Sequence, residues 1–263
     1  MRRGLDYHIH TYYQRCGNQT LTVDNIIRRA EQRGLKSIAI TDHLNRSAQL
    51  PAFRQIKADI AAAQSSVEVF FGVELNYDGC DGDFVYDRHV HEQYGFEVVI
   101  GGIHSAYTDS RDMDEVLAIQ HRHFMRTLQN PLLDVLVHPF WFTRTELEQR
   151  PEEWWEEFIR RISDDHIEQW AQASRQNRCA IELNAAAIFY NGAMSEGYKA
   201  NYVQMVRRLR DAGALFSMGS DAHDIDTLGT TDYVDGLLDG LEVAEEQIFR
   251  PRREVLLGRR TAG

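Results

Sequence analysis

LDYHIHTYY, residues 5–13, places His8 and His10 one residue apart between the apolar residues Leu5, Tyr7 and Ile9. On a β-strand, residues two apart point to the same face. A strand here therefore delivers two imidazoles to one place, where a metal ion could use both. The same His-x-His spacing recurs at His89/His91 and His121/His123. His121 and His123 fall within a helical pattern, DEVLAIQHRHFMRTL. Two positions on a helix are separated by about 200° of rotation, so that pair cannot chelate one ion. His89 and His91 lie between Glu74 and Gly95, an irregular stretch rich in Asp and Gly that reads as a long loop or lid, and spacing alone leaves them undecided.

Working outward from the first strand, short apolar runs alternate with amphipathic stretches. The further strand candidates are KSIAITDH, VEVFFGVEL, FEVVIGGIH, LDVLVHPF, CAIELNA and ALFSMGSDAH. Several are almost wholly apolar, as parallel strands buried on both faces require. Between them, VDNIIRRAEQRG ends in a helix-stopping Gly. PEEWWEEFIRRI begins with Pro and acids, a helix start, and KANYVQMVRRLRDAG has helical spacing. About seven strand–helix alternations without a linker or repeat predict a parallel α/β barrel or a doubly wound sheet, with residues 1–263 as a single domain.

The strand candidates end in His8 and His10, Asp42 and His43, Glu74, His104, His138, Glu182 and Asn184, and Asp221 and His223. In a parallel barrel all strand C-termini open on one face, and that face carries the active site. A lone strand-end histidine is usually a core or surface residue, but six of the eleven histidines share this position. Chance is a poor account of that convergence. Imidazole with carboxylate and no paired thiolates suits zinc, manganese, iron or cobalt. Glu74, at a central strand end, is the candidate to bridge two ions. Ions about 3.5–4 Å apart can clamp a phosphate and lower the pKa of a trapped water, chemistry apt for the high barrier of phosphomonoester hydrolysis.

The motifs HIHT, ITDH, GVE, GGIHSA, VHP, IELN and GSDAH, in this order, resemble the PHP family, named for polymerase and histidinol phosphatase domains. The tail GLEVAEEQIFRPRREVLL is similar to the closing segment of single-domain members. The resemblance covers nearly the whole chain and implies a distorted (β/α)7 TIM-like barrel with two or three divalent ions (zinc, manganese or iron). It implies that His8, His10, Glu74 and Asp221 hold one ion, that Glu74, His104 and His138 hold a second, and that His43 and His223 hold a third. Many three-metal members have another His, or an Asp, soon after HxHT; here the matching residue is Cys16. Its thiolate could ligate zinc, or it is a buried free thiol beside a half-empty third site. A further ligand that some members place after the Glu would be one of Asp81, Asp83, His89 or His91, or none of them.

The first functional expectation is a histidinol-phosphatase-like hydrolase. It would act on a small phosphomonoester, histidinol phosphate or another phosphorylated metabolite, and release inorganic phosphate. A metal-bridging hydroxide would be the nucleophile, with Glu74, Asp221 and His223 as the catalytic group. Asn184 could orient substrate or be a structural amide. Arg15, Arg46, Arg111 and Arg144 lie in loops on the active face. Any of them, Arg15 first, could grip a phosphate bidentately or be a solvated charge. The alternative is a nucleic-acid-processing or polymerase-associated module, a nuclease or a structural accessory, which would need basic flanks to track a backbone. A third is a hydrolase of another ester or lactone. The formal net charge of -11 argues against polyanions and anionic membranes. Cys16, Cys80 and Cys179 form no disulfide framework or paired zinc signature. No apolar run follows Arg2 and Arg3, and none reaches the length of a membrane span. These features predict a cytoplasmic protein.

Overall fold

The computed structural model describes residues 3–251. Seven main strands run parallel: β1 (Leu5–Ile9), β2 (Ser37–Ile40), β4 (Glu68–Asn76), β5 (Val98–Gly102), β6 (Val135–Leu136), β7 (Ala180–Asn184) and β8 (Phe216–Gly219). They stand in that order, and the two-residue β3 (His43–Leu44) continues the line of β2 by pairing with β4. The sheet curls until its ends meet. Asp221 N–H donates to His8 O at 2.9 Å, His10 N–H donates to Ala222 O at 3.1 Å, and Ile9 bridges Ala222 in parallel. The result is the expected TIM-like (β/α) barrel, nearly closed.

Nine α-helices occur among the described residues: α1 (Val23–Arg33), α2 (Leu50–Ala62), α3 (Arg88–Tyr94), α4 (Met113–Leu128), α5 (Arg144–Glu148), α6 (Glu152–Arg160), α7 (Asp164–Asn177), α8 (Glu196–Asp211) and α9 (Asp232–Gly240). Their boundaries follow capping chemistry. Thr22 accepts from Asn25 N–H at the start of α1, and Gly34 ends it in the left-handed conformation at φ 71°. None of the helices is long and apolar enough to cross a membrane. The core is one continuous apolar cluster drawing on every main strand.

The irregular segment is a point of correction. Residues 77–87 are a loop, but Arg88–Tyr94 is a helix, capped by Asp87 and stopped by Gly95 at φ 66°. His89 and His91 are therefore on a helix and face apart. His91 is buried, with Nδ1 2.6 Å from Tyr86 Oη, while His89 is exposed. Of the closing tail, residues 252–257 lie outside the described residues.

Candidate metal centre

Strand geometry gathers the strand-end residues around one carboxylate. His8 on β1 and His10, the residue just after it, meet with their Nε2 atoms 3.1 Å apart. β3 registers His43 directly opposite Glu74 on β4. Glu74 is fully buried. Its Oε2 lies 3.2 Å from His8 Nε2, 3.4 Å from His10 Nε2 and 2.7 Å from His43 Nδ1. Its Oε1 lies 2.9 Å from His104 Nε2 and 3.3 Å from His138 Nε2. Five imidazoles thus converge on one carboxylate. Asp221 completes the far side, with Oδ1 3.2 Å from His10 Nε2, 3.5 Å from His8 Nε2 and 3.4 Å from His223 Nδ1.

Other groups hold these side chains in place. Glu182 Oε1 lies 2.8 Å from His8 Nδ1, and its Oε2 accepts from His138 N–H at 2.7 Å. One carboxylate therefore orients a residue on β1 and one just beyond β6. Asn184 donates from Nδ2 to Glu182 Oε2 at 3.1 Å and to Asp221 Oδ2 at 3.3 Å, while its Oδ1 accepts from Ala187 N–H. Asp42 takes both its bonds from Thr11, one from N–H and one from the hydroxyl, fixing the chain just after His10. Asp6 accepts from Ser220 N–H at 2.8 Å and Gly229 N–H at 3.0 Å, tying the loop that carries Asp221 to β1. Gly219 is required by close approach. A Cβ there would collide with the Glu182 carboxylate and lie 2.5 Å from His8 Cβ. His138 (φ 23°) and Asp221 (φ 54°) are held in the left-handed region, strain that the surrounding bonds must offset.

The electrostatics suit a cation. Burial would raise the pKa of Glu74, but His43, His8 and His104 hold it well below the carboxylate range. Asp221 is likewise held down against burial, by His8 and His10. Burial pulls His10 to about 3 and His104 to about 4, so both rings are neutral with a lone pair to offer. His8 goes the other way: burial lowers it, but Glu182, Glu74 and Asp221 raise it well above its ordinary value. A divalent ion there would displace that proton. Glu74 Oε2 is buried without a well-formed hydrogen bond, despite its three imidazole neighbours. Buried oxygens are rarely left so, and a bound cation would give this carboxylate a partner. His8, His10 and Glu74 form one group that could hold a metal, His43, Glu74 and His104 a second, and His10, His43 and His223 a third.

Cys16 joins a further group with His10 and Asp42. Its Sγ lies 3.7 Å from His10 Nδ1, the ring nitrogen turned away from Glu74, and 3.8 Å from Thr11 O. Burial and Asp42 push its thiol up to about 12. The four candidate cations are dispersed, and Arg144, expected in a loop, is instead the first residue of α5. Arg15, Arg46, Arg111 and Arg144 are all exposed, and Arg144 pairs with Glu148 at 2.8 Å. Glu182, whose carboxylate touches two strand ends, was readable only as one more strand-end acid. Its two-residue offset from Asn184 on β7 is the signal that both face the site.

Residues 6–186 match the family profile described as PHP domain. Asp221 and His223 lie beyond that range, and closure of the barrel brings them to it. A probable phosphatase of Enterobacter sp. (strain 638) is 26% identical over 95% of this chain and 91% of its own length. The probable phosphatase YcdX of Escherichia coli (strain K12 / DH10B) is 23% identical over the same shares of the two chains. In fold, the chain is similar to a crystal structure of a candidate histidinol phosphatase, hisK, from Listeria monocytogenes. The TM-score is 0.57 at 13% identity, covering 88% of this chain and 99% of that one.

Proposed function

Because the chain belongs to the PHP domain family, we propose that it is a metal-dependent hydrolase of a small phosphomonoester, releasing inorganic phosphate. Histidinol phosphate is one candidate substrate among phosphorylated metabolites. The observation that carries this reading is the Glu74 carboxylate ringed by five imidazoles at 2.7–3.4 Å.

His8, His10, Glu74 and Asp221 would hold one ion, Glu74, His104 and His138 a second, and His43 and His223 a third. Zinc, manganese or iron fits this imidazole–carboxylate donor set. Bound ions would polarise a phosphoryl oxygen and supply a nucleophilic water at neutral pH. The chain's own residues set the stage for that chemistry. Glu74 presents both oxygens between the two halves of the cluster. Glu182 fixes the ring orientation of His8 and the backbone of His138, and Asn184 steers Asp221. His223, at 44% side-chain exposure the most open of these residues, stands where substrate enters. Arg15, exposed in the loop after β1, is the candidate grip for the phosphate.

The test is to strip the protein with a strong chelator, restore manganese or zinc, and assay aryl phosphate, phosphorylated metabolites and single-stranded oligonucleotides. Hydrolysis of the small esters should vanish on stripping and return on reloading. Undiminished turnover in metal-free protein would overturn the metal reading. Faster cleavage of internal phosphodiesters would replace the phosphatase with a nuclease.

A further inference from the structure

The chain has four tryptophans. Three commit their indole N–H inside the protein. Trp154 donates to Arg111 O, Trp155 to Leu147 O and Trp170 to His121 Nδ1. Trp141 alone has no acceptor for its N–H among the described residues, yet it lies against the metal cluster. Its ring centroid is 5.5 Å from that of His138 and 6.0 Å from that of His104, which it meets at 70°. It is half-buried, beside a His104 side chain that keeps 25% of its surface open.

The backbone holds this ring in place with some force. The turn after β6 puts His138 at φ 23° and Phe140 at φ 62°. Trp141 N–H closes it onto His138 O at 3.0 Å, and buried Tyr198 donates its hydroxyl to Phe140 O at 2.6 Å. Phe140 turns into the core against Phe124 and Trp170, while Trp141 goes to the His104–His138 wall. An aliphatic side chain would shield those imidazoles equally well. A large flat face with an uncommitted donor suits a ligand with a flat face of its own, since a ring–ring contact adds to plain area burial.

We infer that Trp141 touches the substrate and forms one wall of a subsite for a planar, unsaturated leaving group. This rests on the reading of the site as a phosphomonoesterase. It makes Trp141 a specificity residue, and it separates planar phosphate esters from aliphatic ones of similar charge.

Calorimetric binding of phenylphosphonate and methylphosphonate to metal-loaded protein tests it, using the parent, Trp141→Leu and Trp141→Phe, with metal content measured for each. Trp141→Leu should keep its metal and weaken phenylphosphonate about five- to tenfold, with methylphosphonate changed less than about twofold. Trp141→Phe, which keeps a flat ring, should retain most of the phenylphosphonate affinity. Equal weakening of both ligands, loss of metal, or unchanged phenylphosphonate binding in Trp141→Leu would overturn the inference. Failure of both phosphonates to bind the parent would instead overturn the reading of the site, and this inference with it.

Discussion

His8 and His10 bring their Nε2 atoms to 3.1 Å at the end of β1, whereas His121 and His123, with the same spacing, meet different surroundings on α4. His121 accepts from Trp170 Nε1–H at 3.0 Å and packs against His166 on the outer side. His123 is fully buried between Tyr77 and Tyr107, with neither ring nitrogen making a well-formed hydrogen bond. Carboxylates surround the strand pair; aromatic rings surround the buried member of the helical pair. Identical spacing becomes two imidazoles meeting at one point or two unrelated side chains according to whether the backbone repeats every two residues or every 3.6.

The sharpest way to strain this contrast is through the group that orients the strand pair. Glu182→Gln keeps the shape but removes the charge facing His8 Nδ1, and it weakens the acceptor for His138 N–H. Metal affinity or phosphatase rate should fall about 10- to 100-fold, the usual cost of losing a carboxylate behind a metal-bound histidine. Equilibrium dialysis and initial rates check it, and unchanged values would make Glu182 a bystander.

The helical pair should betray itself through pH. Burial, reinforced by Arg126 and Arg122 and opposed by Asp81 and the Cys80 backbone, pulls His123 down to about 4. The unfolded value is about 6.5. Between these limits the unfolded chain binds more protons than the folded one, so stability falls as pH falls through that window. Replacing the ring by Leu removes this contribution, so His123→Leu should unfold at a lower pH than the parent and keep its metal at neutral pH. Melting temperature followed against pH is the measurement; an unmoved acid midpoint would count against a neutral, structural His123.

A smaller effect is expected at Cys16. Its sulfur meets His10 at the nitrogen turned away from Glu74, through a longer and weaker contact than a carboxylate makes. Cys16→Ala should cost less than about tenfold in metal affinity, below the effect at Glu182. Loss of one whole ion by elemental analysis would make the thiolate a ligand in its own right.

Much of this was legible in the sequence, for identifiable reasons. The strands showed because buried parallel strands must be apolar along their length, and the strand-end residues showed because a barrel opens at one end. The helix Arg88–Tyr94 is not legible in the sequence because its exposed face is polar and its apolar side is only Val90 and Tyr94 with His91. The sequence holds the Asp87 cap and the Gly95 stop, but in a stretch rich in Asp and Gly they do not stand out from loop composition. Trp141 gave no periodic signal, since its placement depends on two left-handed residues in a turn. The sequence leaves the arginines undecided because the reach of a long exposed side chain, in a loop or at the start of a helix as Arg144 is, is set by tertiary packing, which no local pattern encodes.

The most direct test of the central claim compares His8→Ala, His10→Ala, His121→Ala and His123→Ala in one experiment, measuring metal content by elemental analysis and confirming folding by circular dichroism. The strand-end variants should fold and lose metal together with nearly all phosphatase activity, and the helical variants should keep their metal. Equal metal loss in both pairs, or full metal content in His8→Ala and His10→Ala, would contradict the assignment of the barrel mouth as the metal centre.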